Sequence, residues 1–210
     1  ACKPISVVRE TKLSALLDGG RNSGMVVVSY AMQLAIQKTS EHGIGIIGTN
    51  NTNTSTGAIG YYASQIAQAG YIGLVFSGSG EYMAMYGSYE PIFGTNPLAF
   101  GIPSTGKPIV FDMATAAIAR FGIVEAKTAG RPIPEGVAYD NAGQITTDPS
   151  AALGGAIRAF GGYKGAALAL LVEVLTHPLV STTLDKDGRK TDWGSLLLVI
   201  DPELLVDGDT

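Results

Sequence analysis

Gly43-Ile44-Gly45-Ile46-Ile47-Gly48 matches the pattern G-x-G-x-x-G letter for letter, and the way it is read decides the fold. A dinucleotide fingerprint follows a strand and opens a helix, so that the helix N-terminus faces a pyrophosphate. Here the order is reversed. Upstream, Val27, Ala31, Leu34 and Ala35 recur at helical spacing with Gln33, Gln37 and Lys38 between them, and His42-Gly43 supplies a stop. The glycine-rich hexapeptide is therefore itself a short apolar strand that leaves into the polar tract 49–56, and a Rossmann reading is set aside.

Working outward, residues 57–69 place Ile59, Tyr62, Ala63, Ile66 and Ala67 on one helical face, with Gly70 closing the helix. Residues 71–77 read as a strand, and residues 78–93 are too irregular for either period, as a functional loop would be. Two strands, 98–102 and 108–111, flank the turn Ser104-Thr105-Gly106, and the Ala-rich stretch 113–129 is helix-competent. Residues 130–149, with three prolines and Asp140-Asn141-Ala142-Gly143, form a surface connector. Residues 163–175 are nearly all apolar, which predicts a helix buried on most of its circumference, and 196–200 is a last strand. Helices and strands alternate without an internal repeat, so the fold class is α/β, in one compact domain spanning 1–210.

The chain has 210 residues, 46% of them hydrophobic, and a formal net charge of −4, a balance that argues against nucleic acid or an anionic membrane as partner. Its 28 glycines are nearly twice the ~7% of average usage and imply tight turns and close backbone approaches. The single cysteine, Cys2, forms no intramolecular disulfide, and two histidines, His42 and His177, are too few for the usual zinc sites, so no metal is expected. No apolar run reaches ~18 residues and no signal peptide is visible, which makes the cytoplasm the expected address.

Three short segments carry candidate chemistry. Asp112-Met113-Ala114-Thr115 lies where a strand hands over to a helix, either as a phosphate cradle of backbone amides and the Thr115 hydroxyl or as an ordinary N-cap by Asp112. Gly161-Gly162-Tyr163-Lys164-Gly165 places a cation at a helix start, against the helix dipole, and points to an anionic ligand rather than a neutral surface lysine. Thr95-Asn96-Pro97 is most simply a turn with Asn96 bonding local backbone, and Ser55 and Thr56 most simply cap the second helix. His42 and His177 both read as helix-end residues.

Together these residues resemble the type 2 malate/L-lactate dehydrogenase family, which includes sulfolactate and ureidoglycolate dehydrogenases and cyclic imino acid reductases. The resemblance runs along nearly the whole chain through Val8-Arg9-Glu10-Thr11, Gly57-Ala58-Ile59-Gly60-Tyr61-Tyr62, Gly94-Thr95-Asn96-Pro97, Phe111-Asp112-Met113-Ala114-Thr115, Ile133-Pro134-Glu135-Gly136, Thr147-Asp148-Pro149 and Gly161-Gly162-Tyr163-Lys164-Gly165 with Glu173-Val174-Leu175. It implies a mixed-sheet, non-Rossmann NAD(P)-binding fold, NAD or NADP as cofactor, a small-molecule substrate and a homodimer. It further implies that Ser79, Asp112, Met113, Ala114, Thr115, Gly162, Tyr163 and Lys164 bind the cofactor, and that Thr56 and Asn96 contact substrate.

Two departures bear on activity. The family carries a longer N-terminal helical region with a substrate-site histidine, which these residues do not include. A second family histidine corresponds to Ser55, which becomes the candidate catalytic position, and a family lysine corresponds to Tyr89. A serine hydroxyl near neutrality is no general acid, a loss of about 10²- to 10⁴-fold in rate. Tyr61, Tyr62, Tyr82 and Tyr89 are the alternative proton donors. The expected function is NAD(P)H-dependent reduction of a small 2-oxo acid or cyclic imino acid with a rebuilt substrate site. The alternatives are a nucleotide pocket without orthodox dehydrogenase activity and a non-catalytic dimerisation module.

Overall fold

The computed structural model describes residues 2–206; Ala1 and residues 207–210, at the ends of the expected domain, lie outside the described residues. In chain order the elements are β1 (Ser6–Glu10), β2 (Ser14–Asp18), α1 (Gly24–His42), β3 (Ile44–Asn50), α2 (Gly60–Gln68), β4 (Ile72–Ser77), β5 (Met83–Ala84), β6 (Pro91–Phe93), β7 (Leu98–Ile102), β8 (Ile109–Met113), α3 (Arg120–Thr128), β9 (Ala138–Tyr139), α4 (Pro149–Gly154), β10 (Ala156–Ile157), α5 (Tyr163–Thr176) and β11 (Ser195–Ile200), followed by a 3-10 turn, Pro202–Leu204.

The glycine-rich hexapeptide is β3, as its context predicts. Gly43 ends α1 in the left-handed region, φ 80°, and Gly45 lets α1 pack hard on the strand, since a Cβ there would come within 2.9 Å of Thr39 Oγ1. Seven strands form the main sheet in the order β1-β2-β3-β11-β4-β7-β8, with β2 and β3 parallel and the other neighbours antiparallel. Because side chains alternate across a strand, Leu197 and Val199 of β11 join Ile47, Val75, Ala31 and Ile66 in the core under α1 and α2. Leu196 faces the opposite side with Phe76, Val172 and Val180, under α5.

A second, four-stranded sheet of order β6-β5-β10-β9 packs with α3 and α4 around Met83, Phe93, Ile123, Ile133, Ala138 and Ile157. Three expectations are corrected by it. The irregular stretch 78–93 holds β5 and β6, and the connector 130–149 contributes β9 and the buried Ile133 and Ala138. The helix expected over 113–129 begins only at Arg120, because the backbone of 115–117 is bonded elsewhere: Thr115 N–H donates to Thr95 O at 3.0 Å and Ala116 bridges Ala159. Tertiary pairing overrides the helix propensity of that Ala-rich run. The apolar α5 is also less covered than its composition predicts. It buries only the small-residue stripe Gly165, Ala166, Ala169, Val172 and Thr176, and leaves Leu170, Leu171 and Val174 about half exposed.

Candidate active site

The residues singled out from sequence converge, in part, where the loops after β3, β4, β6 and β8 meet the start of α3. A cleft of 460 Å³ there is lined by Thr54, Ser55, Ser79, Tyr82, Thr95, Ala114, Arg120, Phe121 and Trp193, among others. Ser55, Ser79 and Ala114 are among the residues expected. Ser55 Oγ accepts from Gly57 N–H at 3.2 Å, so it caps its own turn while lining the cleft.

Thr95 is the junction of the floor. Its N–H donates to Ser79 Oγ at 3.3 Å, and its carbonyl accepts from both the N–H and the hydroxyl of Thr115, each at 3.0 Å. Thr115 is thus fully buried and its hydroxyl is engaged within the protein. Asn96, read from sequence as a turn residue bonding local backbone, reaches a distant helix instead. Fully buried with φ 40°, it donates from Nδ2 to Ala169 O at 2.9 Å and to Glu173 Oε2 at 2.8 Å, both on α5. Thr56 also turns away from the cleft, its hydroxyl 3.2 Å from Ser77 Oγ in the core.

Asp112 lies on β8 and not at a helix start. Its carboxylate reaches across to accept from Gly60 N–H at 2.7 Å, capping α2, whose own N-cap position is Ile59, without a side-chain bond. Met113 ends the same strand, half-buried. Gly162, Tyr163 and Lys164 do not line the 460 Å³ cleft. They form the start of α5, where no side chain caps the helix and Gly161 and Gly162 have φ 57° and 65°, beside a second cavity of 330 Å³ lined by Tyr86, Tyr139, Arg158 and Gly162 among others. The two cavities are linked by pairing of 115–117 with 158–160, through Ala117 N–H to Arg158 O at 2.7 Å and Phe160 N–H to Thr115 O at 3.0 Å.

Of the candidate tyrosines, Tyr82 reaches the cleft, with the Arg120 guanidinium 4.0 Å from its ring centroid. Tyr62 is buried, donates to Thr56 O at 2.8 Å, and has its phenol pushed up by that burial. Tyr61 and Tyr89 are exposed, outside the cleft lining. Both histidines also lie outside that lining. His42 ends α1, and His177 is buried beyond Gly78 with Nδ1 2.9 Å from Thr182 Oγ1. Burial lowers the His177 pKa, against an opposing pull from Glu173. Arg120 and Trp193 were not among the residues expected from sequence, and Thr95 was read there as part of a turn.

The sequence profile of the malate/L-lactate dehydrogenase family matches residues 2–210. The chain belongs to this family. It is 41% identical to the L-sulfolactate dehydrogenase of Methanothermobacter thermautotrophicus over 98% of this chain and 62% of that one. It is 40% identical to a Delta(1)-pyrroline-2-carboxylate/Delta(1)-piperideine-2-carboxylate reductase of Pseudomonas aeruginosa, over 81% of this chain and 54% of that one. The solved sulfolactate dehydrogenase of Methanocaldococcus jannaschii superposes with a TM-score of 0.83 at 38% identity, over 96% of this chain and 60% of that one. Malate dehydrogenase from Entamoeba histolytica gives a TM-score of 0.90 at 28% identity, over 98% and 62%. This family member therefore has the mixed-sheet α/β fold of its relatives and spans about 60% of their length. Among the described residues no helix is long and apolar enough to cross a membrane.

Proposed function

We propose that this chain carries the cofactor and substrate sites of an NAD(P)H-dependent oxidoreductase that reduces a small anionic substrate, a cyclic imino acid or 2-oxo acid, and that it acts in the cytoplasm as a homodimer. The observation that carries the reading is Arg120, a half-buried guanidinium in the cleft beside Ser55 and Tyr82, whose planar fork matches a carboxylate or sulfonate. The sulfolactate dehydrogenase and pyrroline-2-carboxylate reductase relatives supply the reaction class.

The start of α5 fits a dinucleotide phosphate: its first amides lack a side-chain cap, open space surrounds Gly161, and Lys164 is an exposed cation. When bound, the nicotinamide supplies the hydride. Arg120 holds the substrate anion, Ser79 and Thr95 shape the floor, and Ser55 offers a hydroxyl at the wall. Reduction of a 2-oxo acid also needs a proton, and the cleft lining contains no histidine to give one. A cyclic imine reaches the cleft already protonated on nitrogen and needs no such donor; Tyr82 is the phenol of this lining placed to serve an oxo acid.

Titrating the chain with NADH and NADPH, beside a scan of cyclic imino acids and 2-oxo acids for loss of nicotinamide absorbance, tests the reading; absence of binding to either nucleotide refutes it. Lys164→Ala is expected to weaken NADH binding by about 3- to 10-fold, the effect of an exposed charge on a phosphate, and an unchanged titration removes Lys164 from the site. Ser55→His is expected to raise the rate on a 2-oxo acid by about 10²-fold, because it restores a general acid to the wall, with little change on an imine. An equal response of both substrates contradicts that role.

A further inference from the structure

The loop that enters β11 is pinned more firmly than its polar sequence suggests. Asp192 is 1% exposed, and its carboxylate accepts from two successive amides of the loop after β3, Asn51 N–H at 2.6 Å and Thr52 N–H at 2.8 Å. Asn51 has φ 53°, and the two N–H groups each meet a different oxygen of the carboxylate, a backbone nest with an anion seated in it. The next residue is held as well. Thr52 Oγ1 donates to Trp193 O at 2.6 Å, and Gly194 O accepts from Gly78 N–H at 2.9 Å. Trp193 lines the cleft together with Thr54 and Ser55, with its backbone fixed on both sides.

We propose that Asp192 is a positioning residue for the cleft, and that Trp193, which it fixes beside Ser55, sets the length of the acid that the cleft admits. The second half rests on the anionic-substrate reading above. Asp192 bonds only backbone and acts through the two segments it joins. Trp193 is a large, rigid, mostly apolar surface that cannot reward an extra charged or polar group, so lengthening the acid toward it meets bulk without a partner. A cavity wall discriminates by single methylenes at about 10- to 200-fold each, enough to define a preferred substrate.

Trp193 is the sole tryptophan, so its emission reads the wall directly in the whole chain. Asp192→Asn keeps the shape but sets an N–H against the nest. It is expected to shift Trp193 emission to the red and to increase acrylamide quenching while far-UV dichroism is retained. Should Asp192→Asn fail to fold, Thr52→Val, which removes the bond to Trp193 O alone, is expected to increase quenching in the same direction. Unchanged emission in the folded variant overturns the positioning role.

The length role is tested with unreactive malonate, succinate, glutarate and adipate, whose affinities follow from thermal shifts. The parent chain is expected to prefer a short member, and Trp193→Ala to move the preference toward longer diacids by about 10-fold. The same order in both overturns that role. If the parent binds no diacid while Asp192→Asn still frees Trp193, the anionic-substrate reading falls and the positioning role stands.

Discussion

Arg120→Ala is expected to lower kcat/KM for the anionic substrate by about 10- to 150-fold, equivalent to the ~1.5–3 kcal/mol of a hydrogen bond to a charged group. The cleft is walled largely by Tyr82, Phe121, Trp193, Ala114 and Ala119, and its other polar lining groups, on Thr54, Ser55, Ser79 and Thr95, are uncharged. Arg120 is the cation of this lining, so a carboxylate that loses it has only neutral donors to turn to. The loss should fall mainly on KM, since the anion is bound equally in the ground and transition states. NADH affinity should stay near the parent value, because the groups assigned to the phosphates lie at the start of α5. Lys in place of Arg should recover only part of the loss, for want of the planar fork. A variant with parent kcat/KM removes Arg120 from substrate binding.

Glu173→Ala is expected to destabilise the fold by about 3–5 kcal/mol, read as a lower urea midpoint with an unchanged slope. Glu173 is largely buried on α5, where one oxygen accepts from Asn96 and the other pairs with Lys190, with His177 Nε2 at 3.7 Å. Lys190, its side chain largely covered, also donates to Ile92 O at 2.8 Å. Alanine leaves an ammonium without its counter-charge and an amide short of one acceptor, in a place where water reaches neither freely. Glu173→Gln keeps the shape and one acceptor for Asn96 and should cost less. Equal stability of all three proteins would show that the cluster relaxes to solvent.

Much of the main sheet was legible because its strands are long and its helices amphipathic. The alternation around β3, from α1 through β4, carries its period on its surface. The second sheet was not legible, since strands of two or three residues such as β5, β9 and β10 contain less than a full period. The site shows the same division. Ser55, Ser79 and Ala114 could be placed by resemblance, and all three line the cleft. Arg120 could have been found by the argument applied to Lys164, that of a cation standing at a helix N-terminus. It was hidden because the helix was expected to start seven residues earlier, which put Arg120 in the middle of an unremarkable face. Trp193 and Asp192 gave no signal, since their roles arise from contact with a loop about 140 residues away in the chain.

The bond from Asp112 to the first amide of α2 has a further consequence for assembly. β8 is an edge strand with most of its side chains exposed on both faces, so hydrophobic burial does little to choose between one pairing with β7 and another shifted by a residue. A one-residue slip would swing the Asp112 carboxylate to the far side of the sheet and leave the mouth of α2 bare. The carboxylate thus acts as a registration pin for the outermost hairpin. Because its partner is 52 positions earlier in the chain, the helix start can be completed only after that hairpin has docked.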